Sequence, residues 1–301
     1  AQSVLRVNAI LGTNNAVSTS TRTNFLNGVL NTAFGGAASA YLNAALGHST
    51  YNAMQLRLTK RLSNSFIGGG QFQAAYTWSH SIDNAPDPLD AGRGGRAAPR
   101  DSSGFGGGFG AERGNSDFDT RHRFVANFIY DLPFKSSNGF VNQVVGDWTV
   151  TGIVTLQSGT PFSIFSSRDS VGAGLSQRAS YAAPGQGLSA TPNETAQART
   201  QVGPSRTLFR QPGPGEIGNV QRNSFYGDGY QNTDLSVIKR FRVREGTTFR
   251  VQADFFNLFN NVNLLNPSNL LFENSIGQPN FGQSSVAFPA RRIQFAARLD
   301  F

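Results

Sequence analysis

The stretch ARRIQFAARLDF, residues 290–301, alternates up to its last residue. Ile293, Phe295, Ala297, Leu299 and Phe301 share one parity, and Arg292, Gln294, Ala296, Arg298 and Asp300 share the other. A period of two marks a β-strand with unlike faces, because successive side chains point to opposite sides. Domain ends are ordinarily polar and frayed. An alternating segment that closes on an aromatic therefore asks what surrounds it.

The same pattern recurs along the chain. YNAMQLRLTKRL sets Met54, Leu56, Leu58 and Leu62 against Gln55, Arg57, Thr59 and Arg61. GGQFQAAYTWSH aligns Phe72, Ala74, Tyr76 and Trp78, and DTRHRFVANFIYDLPF aligns Phe124, Ala126, Phe128, Tyr130 and Leu132. GDWTVTGIVTLQSG aligns Trp148, Val150, Gly152, Val154 and Leu156. NTDLSVIKRF aligns Leu235, Val237 and Phe241, and TTFRVQADFFNLF sets Phe249, Val251, Ala253 and Phe255 against Arg250, Gln252 and Asp254. A weaker eighth segment runs from about Ser3 to Ile10. Apolar residues do not recur at three and four, so a helical reading fails. The segments run roughly 9–14 residues. That suits a tilted strand crossing a bilayer, which needs about 9–11, better than a globular strand of about 5–6.

The connections between segments alternate in length. Those around 63–68, 135–145 and 244–246 are short; those at 11–50, 81–118, 159–229 and 259–288 are long. Loops beyond about 12–15 residues are uncommon in compact domains, and here all fall at one end of an up-and-down meander. Outer-membrane barrels have short periplasmic turns and long extracellular loops. Phe134, Trp148, Phe249 and Phe301 sit near the short-turn ends, and Tyr51, Trp78 and Phe259 near the long-loop ends. This predicts two aromatic girdles, one at each membrane interface. The predicted fold is an all-β antiparallel up-and-down transmembrane barrel segment of about eight long strands. The competing all-β reading, a soluble sandwich, also alternates but does not explain the strand length or the one-sided loops.

The bulk numbers are compatible. Charged residues are 15% of the chain, below the soluble average of about 25%, and there are 34 glycines. No run of about 18 apolar residues occurs, so no helix crosses a membrane. A mean hydropathy of -0.30 is ordinary for a barrel whose strands face lipid and lumen alternately. The opening AQSVLRVNAIL does not read as a signal peptide, lacking a basic start before a long apolar core. The net charge of +8 comes from scattered basic residues rather than a patch, which argues against nucleic acid. The absence of cysteine excludes thiolate zinc sites and cysteine nucleophiles. The long loops are low in complexity, rich in Gly, Ala, Pro and Ser, and are expected to be mobile at least in part.

Little in the sequence points to catalysis. The glycine run GFGGGFGAERG lacks the strand, helix and Gly-Lys-Ser/Thr of a phosphate loop. His80 lies near Asp83, and His122 near Asp117 and Asp119, but no metal-ligand or triad spacing accompanies them. No cofactor, metal or catalytic residue is expected. Arg57, Arg61, Arg123, Arg250, Arg292 and Arg298 share the polar parity. Facing lipid they would each cost about 2–4 kcal/mol at mid-bilayer, so they are expected to face a lumen or lie at a rim.

Several segments in order resemble the last part of TonB-dependent outer-membrane receptors, within them the Oar-like subgroup. They are YNAMQLRLTKRLSNS, FQAAYTWSHSIDN, RGNSDFDTRHRFVANFIYDLPF, DWTVTGIVTLQSGTPFS, NTDLSVIKRFRV, FRVQADFFNLFNNVNLLNP and ARRIQFAARLDF. The likeness covers most of residues 51–301. It implies a C-terminal portion of one barrel, over residues 1–301, from a protein whose carboxypeptidase-regulatory-like domain and plug lie upstream. It further implies substrate import driven by TonB–ExbB–ExbD through that plug, an outer-membrane location and an unnamed cargo. Outer-membrane barrels resemble one another in a final strand read by the barrel assembly machinery, and Ile293, Phe295, Ala297, Leu299 and Phe301 fit that signal. The alternatives are a complete small outer-membrane barrel with a structural or adhesive role, in which a strand near Val4 pairs with one near Phe295, and a barrel enzyme using His80 or His122.

Overall fold

The computed structural model describes residues 48–65, 68–84, 113–168, 170, 178–183, 206–214, 216, 218–267 and 275–301. The expected eighth segment, from Ser3 to Ile10, and most of the glycine run lie outside them. The strands are β1 (Ser49–Ser65), β2 (Gly68–Asp83), β3 (Gly114–Asn115), β4 (His122–Asp131) and β5 (Trp148–Gln157), with helix α1 (Gly139–Val145) between β4 and β5. After them come β6 (Pro161–Phe162), β7 (Ser180–Tyr181), β8 (Phe209–Arg210), β9 (Phe225–Tyr226), β10 (Tyr230–Arg244), β11 (Thr247–Phe256) and β12 (Arg292–Asp300). The long strands form one antiparallel meander in the order β1-β2-β4-β5-β10-β11-β12, with β3 also pairing β2. Each alternating segment after residue 50 is thus a strand, paired with its neighbour in sequence.

Register converts the sequence parity into two continuous faces. One row across all the long strands reads Lys60, Phe72, Phe128, Gly152, Leu235, Phe255 and Ile293. The row one residue along, on the opposite face, reads Arg61, Gln71, Ile129, Thr151, Ser236, Asp254 and Gln294. A slip of one residue at any strand would reverse its face, so agreement across the whole sheet is a strong constraint. On the apolar face Phe128 covers Gly152, where an added Cβ would lie 2.6 Å from the Phe128 ring. The glycine leaves room for the aromatic of the adjacent strand to lie flat over it.

The turn end is compact. Gly246, at φ 75°, closes the two-residue link between β10 and β11. Gly70, at φ 143°, lies so close to β4 that an added Cβ would stand 2.1 Å from the Ile129 carbonyl oxygen. The β4–β5 connection, read from sequence only as a short link, contains α1. Asn138 caps it by accepting from the Phe140 and Val141 N–H groups at 3.0 and 3.2 Å, satisfying donors the first turn leaves free.

The core is not in the sheet. Leu58, Ile293 and Phe295 are 61%, 50% and 76% exposed, so the apolar face of the sheet is uncovered. The buried cluster is instead Phe162, Ile164, Ala179, Phe209, Val220, Phe225, Ile276 and Phe281, all from the long connections at the opposite end to the turns. Phe209 packs edge-on against Phe225 and Phe281, with centroids at 5.5 and 6.0 Å. The short pairs β6–β9 and β7–β8, with a bridge from Phe165 to Ser275, weave the β5–β10 and β11–β12 connections into one layer. The low-complexity stretches expected to be mobile lie mostly outside the described residues, whereas the described parts of these connections hold a hydrophobic core of their own.

Candidate functional site

The strand ends meet the loop layer through a buried polar clamp. Its centre is Asp119, whose side chain is fully buried. Its Oδ1 accepts the Ser81 N–H at 2.7 Å, and its Oδ2 accepts Arg121 Nε at 2.7 Å and the Tyr226 hydroxyl at 3.4 Å. Arg121 Nη2 also donates to His80 Nε2 at 2.7 Å, Asn115 Oδ1 at 3.1 Å and the Tyr226 hydroxyl at 3.1 Å. Burial pushes the Tyr226 phenol upward, against the opposing pull of Arg121. Beside it Asn115 and Asn223 exchange amide-to-carbonyl bonds at 2.8 Å in both directions. The Ser163 hydroxyl accepts the Asn223 N–H and donates to its Oδ1, both at 2.9 Å. Arg222 pairs with Asp83 at the end of β2. Two sequence motifs, RGNSDFDTRH and VQRNSFYG, are thereby locked to one another.

A second clamp explains the asparagines of FNLFNNVNLLNP. Asn263 accepts the Gln231 N–H at 2.7 Å and returns a bond to the Gln231 carbonyl at 3.0 Å, standing in for a strand partner. The Asn257 N–H donates to Asp234 Oδ1 at 2.9 Å, and its side-chain oxygen accepts the Asn261 N–H at 2.9 Å. Asn266 reaches the Thr160 carbonyl at 3.0 Å. Asn257 and Asn260 sit at φ 53° and 54°, a region asparagine tolerates better than most side chains. Buried backbone groups at the ends of strands need partners, and short amide side chains supply them here.

His80, Asp117 and Asp119 all belong to the first clamp, where Asp117 Oδ1 accepts from the Asn223 side-chain amide. Asp119 meets protein rather than water. His122 stands apart, with its Nδ1 2.8 Å from the Tyr76 hydroxyl. Among the described residues no group of three His, Asp or Glu side chains is placed to hold a metal. What sequence reading missed was the partnership between the two motifs, more than a hundred residues apart; the only local signal was the density of Asn and Asp beside strand ends.

The arginines Arg57, Arg61, Arg123, Arg250, Arg292 and Arg298 all lie on the polar face. With the Gln73 amide turned so that its oxygen faces the guanidinium, Arg57 donates to it at 3.1 and 3.0 Å, and Arg298 pairs with Asp300 at 2.5 Å. Arg250 stands directly across from Arg240 and Arg298. Arg240 donates to Thr149 Oγ1 at 2.8 Å, which in turn donates to Asp131 at 2.6 Å. Ile293, Phe295, Ala297 and Leu299 lie on the opposite, apolar face of β12, and Phe301 follows that strand, 95% exposed.

The geometry is thus a long-stranded meander with one exposed apolar face, one arginine-bearing polar face, tight turns at one end and a packed loop layer at the other. No curated protein and no solved structure matches the chain significantly. The family model described as outer membrane beta barrel domain matches residues 2–294. The chain belongs to the outer membrane beta barrel domain family, whose place is the outer membrane of Gram-negative-type bacteria.

Proposed function

We propose that this chain is wall and lid of a large TonB-dependent outer-membrane transporter, and not an enzyme. The observation that carries the reading is the open sheet. Among the described residues β1 pairs only with β2, and β12 only with β11. Lipid tolerates no open strand edge, so strands outside the described residues complete the ring, and a wide ring would have room for a plug. The order of motifs from residue 51 onward, similar to Oar-like receptors, supports the same view. In this reading the polar face lines the lumen, with Arg57, Arg61, Arg123, Arg250, Arg292 and Arg298 along it. The clamped loops form the outward mouth that meets cargo, and the barrel assembly machinery reads β12. Energy reaches the cargo path from TonB–ExbB–ExbD through the upstream plug.

The gene supplies the test. The frame upstream of Ala1 is expected to encode a plug and a TonB-contacting segment, and the assembled gene product to be retained by the periplasmic domain of TonB. A frame that opens with a signal peptide directly before Ala1 would overturn the reading and leave the complete small barrel in its place.

A further inference from the structure

Helix α1 is amphipathic the wrong way round for a helix packed on protein. Its polar residues face the chain: Asn142 Oδ1 accepts the Ser136 N–H at 2.9 Å, and Gln143 Nε2 donates to the Arg242 carbonyl at 2.9 Å. Its apolar residues face outward. Phe140 is 80% exposed, Val144 54%, Val141 42% and Val145 36%. At 3.6 residues per turn these four share an arc of about 140°. None of the seven residues in the helix is charged or buried.

The end of the helix is tied to the lipid-facing side of the sheet. Trp148 Nε1 donates to the Val144 carbonyl at 2.9 Å. Lys239, on the apolar face beside Trp148 in register, bonds the Gly146 carbonyl. Its Nζ stands 5.6 Å from the Trp148 ring and 5.0 Å from the Phe241 ring. A lysine on a lipid-facing surface is costly unless its ammonium is satisfied. Here a carbonyl and two aromatic faces satisfy it, and the same contacts fix the helix against the strand. The exposed apolar arc of α1 therefore continues the apolar face of the sheet beyond its turn end.

We propose that α1 is an interfacial anchor, lying along the inner leaflet of the outer membrane with Phe140, Val141, Val144 and Val145 in the boundary between headgroups and acyl chains. Interfacial helices bury their apolar side about 5–10 Å into that boundary. The occupant is lipid rather than a periplasmic protein because the arc is continuous with the membrane-facing surface and carries no charge to specify a partner.

The chain has no cysteine, so single introduced cysteines carry a nitroxide cleanly. The probes are Phe140→Cys and Val144→Cys, with Ser137→Cys as a control in the same turn. Each is measured in the whole protein assembled in vesicles of phosphatidylethanolamine and phosphatidylglycerol, with heat-modifiable migration confirming assembly. The ratio of collisions with oxygen to collisions with a nickel chelate is expected to be at least about fivefold higher at 140 and 144 than at 137, as for a side chain in the acyl boundary. Equal ratios at all three positions would place α1 in water and overturn the proposal. Low collision with both reagents at 140 and 144 would place it under protein and overturn it equally.

Discussion

Replacing Asp119 with alanine tests whether the loop layer is held by its polar clamp or only by its own hydrophobic core. The substitution removes three contacts at once. The Ser81 N–H loses its buried acceptor, which costs about 1–3 kcal/mol. Arg121 loses its charged partner, but its side chain is 31% exposed, so water recovers most of that and about 1 kcal/mol remains. Tyr226 gives up only a long bond. The expected loss is about 3 kcal/mol, or about 100-fold in the equilibrium for loop opening at 1.4 kcal/mol per decade. Hydrogen exchange in the assembled protein reads this directly. Amides of the layer, such as Gly227, which donates to the Thr160 carbonyl at 3.1 Å, are expected to exchange about 100-fold faster. Amides of mid-sheet residues such as Ala126 and Val154 are expected to keep their protection. Asp119→Asn separates the parts, because its amide oxygen can still accept from Ser81 while its amide nitrogen opposes Arg121. About half of the effect is expected to remain. Loop exchange within about twofold of the unaltered protein, or equal acceleration of the strand amides, would refute the reasoning.

Further expectations follow from single contacts. Gly152→Ala drives a methyl into the Phe128 ring, and is expected to lower sheet stability by about 1–3 kcal/mol in urea unfolding; Phe128→Ala in the same chain should restore much of it, and no rescue would count against the pairing. The hydrogen bonds from Arg210, aided by the Gly213 N–H and Ser180, hold the Glu216 carboxyl down to about 2. Its contribution is therefore complete above the ordinary carboxylate value of 4.5 and is lost as pH falls from there toward 2. With the side chain 35% exposed, solvent screening reduces the effect to about 1 kcal/mol. Proteolytic nicking near 206–216 should rise between pH 5 and pH 3, and Glu216→Gln should remove that dependence. Deleting Phe301 should reduce the assembled fraction of the protein several-fold while leaving synthesis unchanged; full assembly of the shortened chain would remove the terminal residue from the assembly signal.

The amino-acid sequence by itself determined the long strands after residue 50, their order and their two faces. Alternation is local, and in a meander each strand pairs with its sequence neighbour, so parity fixes which face each residue takes. Ile293, Phe295, Ala297 and Leu299 are set opposite Arg292 and Arg298 by the sequence alone, and the six arginines share one face of the sheet. The sequence did not reveal the two clamps, the loop core or the orientation of α1. Asp119 reads locally as one acid among several beside a histidine; its burial depends on Ser81, Arg121 and Tyr226 arriving from three separate segments. Phe162, Phe209 and Phe281 lie in stretches whose composition suggests open loop, and they become a core only because two connections cross at the same end of the sheet. The apolar arc of α1 is visible as a pattern, but which way it faces was decided by Asn142, Gln143, Trp148 and Lys239, whose contacts exist only once the strands are assembled. Period and pairing between neighbours are short-range properties, whereas burial and the partners of polar groups are long-range ones, and that division separates what the sequence carries openly from what folding alone brings together.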